Sequence, residues 1–351
     1  MIIRNFIKNL NQYVFDPEGE YLDICNSLNG EYISTDSNIK TNIYINILDI
    51  TYEEIELYQE NVLKFKIESL IEFIKDYLTL NFELVKKLKI AIKNSYLKYG
   101  ISEKINSVYM EDKKDKIYVN KKLKSVENMP TLKDVYDEIC KIKDSSNEFR
   151  KFKNDFNMEI LNKLKCFCSK TTISKNKLII YNIKNLNYNK SAILIKYLLN
   201  NICNIQRSKI NNFKIKKDKI KLSYSLIYID ELWKYICGSS NYELASYIFE
   251  LYKTIRKLNA SIITITQDIS DFFEYNNGQY GKSILNNSGF KIFFKFNFSH
   301  IEILNKLDIK ESELKEIMKL EKGQAVIYLK NIQLKLNISS TEFERKMLGG
   351  N

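Results

Sequence analysis

The apolar positions change their period along the chain, and the changes divide it into three zones. In residues 1–50, after a short helical start at MIIRNF, apolar runs are brief and end at turn residues. Tyr13-Val-Phe15 reads as a strand that stops at Asp16-Pro17-Glu18-Gly19-Glu20. Pro17 cannot extend a ladder, and Gly19 permits a tight turn. A second short strand is predicted near Gly30 to Ser34, and an alternating one near Asn42 to Leu48. From residue 51 to 170 charged and apolar residues recur at helical spacing, as in ESLIEFIK (68–75) and LKDVYDEI (132–139). Thr131 is placed to cap the second of these. Glu111 to Lys124 reads as a mobile basic loop.

From residue 176 onward, strand and helix patterns alternate. Strands are predicted at Leu178–Asn182, Leu226–Ile229, Ser261–Ile265, Phe290–Phe294 and Gln324–Leu329. Helical patterns at Lys190–Ile205, Asn241–Leu258 and Gly281–Leu285 separate them, and Lys209 to Lys221 reads as a basic connection. Near-continuous apolar strands separated by helices predict an α/β fold with a buried, mostly parallel sheet. The economical architecture is one sheet domain built from residues 1–50 and 176–351, with 51–175 inserted as a mostly helical subdomain.

Composition narrows the function classes. The 351 residues carry a net charge of +12, which suits an anionic partner such as nucleic acid, nucleotide or a membrane surface. Heavy use of Lys and Asn beside two prolines equally fits an AT-rich coding sequence. The six cysteines (Cys25, Cys140, Cys166, Cys168, Cys203, Cys237) form no CxxC pair, which argues against a disulfide scaffold or zinc site and for reduced thiols in a cytoplasmic protein. His300 is the only histidine, and nothing around it suggests a nucleophile. No apolar run reaches the ~20 residues of a membrane-spanning helix, and the amino terminus does not read as a signal peptide. Any membrane contact is expected to be peripheral, at the inner face.

Two strands end in chemistry. LIYIDE (226–231) is an apolar strand followed by two carboxylates, Asp230 and Glu231. Ligands of open parallel sheets gather at the carboxyl ends of strands, where such a pair can hold Mg²⁺ and activate a water. ITITQD (263–268) is a second strand, ending in Gln267, a residue type that can sense a γ-phosphate. Arg256 and Lys257 close the helix between them. They either favour the helix dipole or offer a cation to phosphate. NNGQYGKS (276–283) ends in Gly281-Lys282-Ser283, like a phosphate loop. However, Asn276 occupies its first glycine position and no strand precedes it, so it is expected to open a helix running into Ile284.

The ordered set FDPEGEY (15–21), MPTLKDVYDEI (129–139), LIIYNIKNL (178–186), IDELWK (229–234), LYKTIRK (251–257), TQDISDFF (266–273), ILNNSGFKIFF (284–294) and GQAVIYL (323–329) resembles the VirB-type ATPases of type IV secretion and conjugative transfer, the TraC/TrbE/CagE group. The resemblance covers almost the whole chain. It implies a RecA-like P-loop NTPase domain with a helical insertion, acting on ATP with Mg²⁺ to power DNA or protein translocation and pilus assembly. It further implies a homo-hexamer working with other secretion components. Asp230 would hold Mg²⁺, Glu231 would be the catalytic carboxylate, Gln267 the sensor and Arg256 the phosphate-facing arginine. Asp16 and Glu18 match the family's turn without an assigned step, and Trp233 matches a packing tryptophan. One departure stands out: the family's GxxGxGK[ST] loop precedes DPEGEY, whereas the first glycine here is Gly19. The expectation is therefore an amino-terminally truncated chain whose sheet lacks the phosphate-loop strand and whose own hydrolysis is weak or nil. Two alternatives remain open: a non-catalytic module that docks on a full-length paralogue, and a coupling-protein or HerA/FtsK-type DNA pump.

Overall fold

Apolar runs of this kind must be covered on both faces, and the chain achieves this by pairing five of them in one parallel sheet. These are β1 (Asn11–Asp16), β2 (Glu31–Ser34), β3 (Leu178–Asn182), β4 (Ser225–Ile229) and β5 (Ala260–Thr264). Their spatial order is β2-β3-β1-β4-β5. The computed structural model describes residues 1–36, 38–39, 43–109, 128–172, 176–216, 224–236, 242–268, 270, 273, 279–295, 311–329 and 332–347.

β1 is the centre of this sheet. It pairs with β3 from Gln12↔Leu178 to Asp16↔Asn182, and with β4 from Asn11↔Ser225 to Phe15↔Ile229. Because every strand runs the same way, Asp16, Asn182 and the residues after Ile229 reach one edge together. Alternate residues face opposite layers. Phe15, Ile227, Ile229 and Ile262 enter the larger core with Leu194, Ile195, Leu244 and Ile248, from helices α8 (Tyr188–Lys216) and α10 (Tyr242–Thr254). Val14, Leu178, Ile180, Leu226 and Tyr228 face the smaller core, which α1 (Ile2–Ile7) and α2 (Leu22–Ser27) cover.

Residues between β2 and β3 form α3 (Tyr52–Tyr58), α4 (Val62–Leu78), α5 (Phe82–Lys98), α6 (Leu132–Lys141) and α7 (Asn147–Asp155). Their buried residues, including Leu70, Ile92 and Phe152, belong to the same core as Phe15. α9 (Trp233–Ile236) follows β4, and α11 (Gln279–Asn287) contains Gly281-Lys282-Ser283. The last of these sits inside a helix, as expected of a stretch that only imitates a phosphate loop. α12 (Glu311–Met318) and α13 (Glu342–Met347) complete the described helices.

Several expectations need correction. β6 (Phe290–Phe293) and β7 (Gln324–Leu329) are not members of the parallel sheet; with β8 (Ile332–Asn337) they form a separate antiparallel sheet. Two residues separate β7 from β8, too few for a parallel crossover. Residues 43–48 are irregular rather than a strand. Their backbone instead bonds to residues 166–172, with the Ile45 N–H on the Cys166 carbonyl and the Tyr44 N–H on Thr172 Oγ1. The basic connection placed at 209–221 is helical through Lys216, as part of α8. Lysine is a good helix former, and its charge needs only a solvent-facing side. Residues 217–221, the loop 111–124 and His300 lie outside the described residues. Among the described residues no helix is long and apolar enough to cross a membrane.

Thr131 caps α6 as its sequence suggests. Its side chain accepts from the Asp134 N–H, and Asp134 answers by accepting from the Thr131 N–H at 2.8 Å. Thr131→Ala is expected to lower stability by about 1 kcal/mol, read as a fall in the urea midpoint with an unchanged m value.

Candidate functional site

The carboxyl edge of β1 and β4 gathers the acidic residues, and Asp16 organises the edge. Asp16 has no exposed surface. Its Oδ1 accepts the N–H groups of Gly19 at 2.7 Å and Glu20 at 3.2 Å, and its Oδ2 accepts the Tyr21 N–H at 3.1 Å. Burial pushes its carboxyl up and these backbone donors oppose the rise. Gly19 holds φ +75°, and a Cβ there would lie 3.4 Å from Asn182 Nδ2. The glycine is thus favoured by conformation, since a contact at that distance is ordinary packing.

The turn so fixed sends Tyr21 back over the end of β4. Its hydroxyl donates to Asp230 Oδ2 at 2.8 Å. Burial, and then Asp230 beside it, push the phenol well above its ordinary pKa, so it remains a donor at physiological pH. Glu18, on the same turn, forms an ion pair with Lys234 at the start of α9. One loop therefore contacts both sides of the acidic pair.

Asp230 and Glu231 are 9% and 5% exposed. The second oxygen of Asp230, Oδ1, accepts the Glu231 N–H at 3.0 Å. Glu231 adopts φ +45°, the left-handed region, which costs a non-glycine residue about 1–2 kcal/mol. The bend lets the Leu232 N–H reach the Ile265 carbonyl of the neighbouring chain segment at 3.3 Å, while Ile265 N–H bonds to the Ile229 carbonyl. Trp233 Nε1 donates to Glu231 Oε2 at 2.5 Å. Trp233 is thus a hydrogen-bonding partner of the acid and not only a packing residue.

Gln267 leaves the end of β5 beside this edge, with an exposed side chain. Arg256 does not join the group. It lies exposed in the short helical turn Ile255–Leu258 that precedes β5. In the parallel register Ala260 pairs with Ser225, so Arg256 stands at the amino edge, opposite Asp230. Asp16, Glu18, Asp230 and Glu231 are assembled in one place and Gln267 is near their edge; Arg256 is remote within the same chain. Sequence reasoning missed Tyr21 and Lys234. Both lie inside the motifs already singled out, as the last residues of FDPEGEY and IDELWK, and a polar tip on each was the available signal.

Carboxylate oxygens of this kind suit a hard cation such as Mg²⁺. Asp230 and Glu231 each keep lone pairs beyond the hydrogen bonds described. Among the described residues the group of three acids close enough to share an ion is not at this edge; it is Glu72, Asp76 and Glu243, where Lys196 bridges Glu72 and Glu243.

The fold is similar to that of solved structures. VirB4 of Thermoanaerobacter pseudethanolicus matches over 98% of this chain and 86% of that one, with 18% identity and a TM-score of 0.67. The bacterial conjugative coupling protein TrwBdeltaN70, in its trigonal form with sulphate, matches over 99% of this chain and 82% of that one, with 10% identity and a TM-score of 0.53. No family model matches the sequence, and no curated protein matches it. The likeness shows the α/β fold implied by the motifs.

The backbone at Glu231 supplies a test independent of any ligand. Glu231→Val places a β-branched residue at positive φ and is expected to lower stability by about 2 kcal/mol or more. Glu231→Gly removes the strain along with the indole bond and should stay within about 1 kcal/mol of wild type. Equal urea midpoints for the two variants would contradict the geometry.

Proposed function

We propose that this chain belongs to a VirB-type ATPase of type IV secretion and conjugative transfer, acting on ATP with Mg²⁺. The observation that carries the reading is the buried acidic pair Asp230-Glu231 at the carboxyl end of a central parallel strand, clamped by the DPEGEY turn, in a fold shared with VirB4.

In this reading Asp230 holds the metal shell, and Glu231 aims and deprotonates the attacking water. Mg²⁺, when bound, neutralises charge on the transferring phosphoryl group. Gln267 contacts the γ-phosphate or its water from the next strand. Arg256 faces the phosphates of a neighbouring copy, since its own acidic pair lies at the opposite edge. The helical residues 51–175 are an insertion in the sheet domain. The partners are other secretion components and further copies of the chain in a ring, with DNA or protein as cargo and peripheral contact at the inner membrane face.

The 351 residues contain no GxxxxGK[ST] sequence, the element whose backbone N–H groups and lysine cradle β- and γ-phosphates. Turnover by this chain is therefore weak or nil, well below the ~1–1000 s⁻¹ of ordinary enzymes. A coupling-protein reading also draws on the TrwB likeness, but VirB4 has the higher TM-score. Strongly salt-dependent binding to bare DNA would favour the pump instead.

The test is Mg²⁺-dependent ATP binding and hydrolysis by the purified chain. Binding is expected to be lost in Asp230→Asn, and residual hydrolysis to fall about 100-fold in Glu231→Gln. Nucleotide binding indifferent to Asp230, together with hydrolysis indifferent to Glu231, would sink the proposal. Robust turnover abolished by Glu231→Gln would keep the site and overturn the expected weakness.

A further inference from the structure

A carboxylate that receives a cation must be aimed without being neutralised. A lysine or arginine partner aims it but brings a competing charge. At this edge Lys234 is ion-paired with Glu18 and its charge acts on Glu231 only without direct contact, while the hydrogen-bond donors on the acidic pair are uncharged. Tyr21 donates its hydroxyl to Asp230 Oδ2 at 2.8 Å, and Trp233 donates its indole N–H to Glu231 Oε2 at 2.5 Å. Each ring has a single donor, so Glu231 keeps most of its lone pairs, and Asp230, which also accepts the Glu231 N–H, keeps about half of its own. Both donors are themselves fixed. The Tyr21 N–H is bonded to buried Asp16, and Trp233 follows the left-handed bend at Glu231 by two residues. The strain at Glu231 has a use in this arrangement: it turns the side chain back under the indole that begins α9.

We propose that Tyr21 and Trp233 are positioning residues, each a neutral donor that fixes one carboxylate of the pair and leaves its charge available to a divalent cation and an attacking water. The proposal rests on the nucleotide-site reading above and gives the DPEGEY turn a task within it. Asp16 sets the turn, the turn delivers Tyr21, and Tyr21 holds Asp230. Partners of this type around metal-binding groups typically change affinity by about 10- to 100-fold when removed.

Two measurements on the full chain test it. Mn²⁺ serves as the probe cation, followed by its electron paramagnetic resonance signal. Tyr21→Phe should weaken Mn²⁺ binding about tenfold while the melting temperature stays close to wild type, with Asp230→Asn as the reference for loss. Trp233 is the only tryptophan, so ¹⁵N-indole labelling gives one resonance whose hydrogen exchange reports its bond. Glu231→Ala should speed that exchange about fivefold, the equivalent of a bond worth about 1 kcal/mol, and Tyr21→Phe should leave it unchanged. Unchanged indole exchange in Glu231→Ala overturns the Trp233 assignment, and wild-type Mn²⁺ affinity in Tyr21→Phe overturns the Tyr21 assignment. A wild-type protein that binds no Mn²⁺, yet whose indole responds to Glu231→Ala, overturns the nucleotide-site reading and supports the hydrogen-bond positioning of Glu231.

Discussion

The burial of Asp16 is the constraint on which the edge of the sheet depends. A carboxylate removed from water costs several kcal/mol unless the protein supplies donors. Asp16 ends the central strand, flanked by β3 and β4, and has no exposed surface. The donors come from the next residues of its own chain: Gly19, Glu20 and Tyr21. Satisfying them forces the chain to curl tightly past Pro17, which explains the positive φ at Gly19. The same curl delivers Tyr21 to Asp230 and Glu18 to Lys234. Loss of the Asp16 carboxylate would release all of these together.

The elements legible in the sequence were those whose pattern had one physical cause. β3 and β7 match their apolar runs residue for residue, because strands buried on both faces can be read without knowing their neighbours. The Thr131 cap was legible because it is local. β8 escaped notice because its pattern alternates and most of it stays exposed. Residues 42–48 alternate too, yet 43–48 are irregular, because alternation fixes which side chains face inward and not which backbone accepts the hydrogen bonds. The long α8 was cut short because its lysine-rich end looks like a solvated loop.

For the site, the residue types at the strand ends could be read and their partners could not. Asp230 and Glu231 were evident from an apolar run ending in acid. The bond from Tyr21 to Asp230 joins positions 209 residues apart, and it exists only because β1 and β4 are neighbours in register. The indole bond from Trp233 depends on a left-handed glutamate, a conformation no residue pattern announces. Sequence could nominate the acids, whereas their orientation follows from sheet order and one strained residue.

The position of Arg256 carries its own consequence. A five-residue strand rises roughly 16 Å, and Arg256 precedes β5 at the amino edge while the acids follow β4 at the carboxyl edge. No arginine side chain spans that thickness through a packed sheet to serve its own acidic pair. Any role for Arg256 at a phosphate requires another copy of the chain, with its amino edge turned to the carboxyl edge of the first. Such a contact joins two different surfaces. Made head to tail and repeated, it is heterologous and closes as a ring or continues as a filament; made about a two-fold axis, with the two sheets antiparallel, it is satisfied reciprocally in a dimer. The placement of one exposed arginine thus ties the chemistry proposed for the edge to the assembly proposed for the chain: if the protein acts only as a monomer, Arg256 has no phosphate to face and keeps only its favourable position at a helix end.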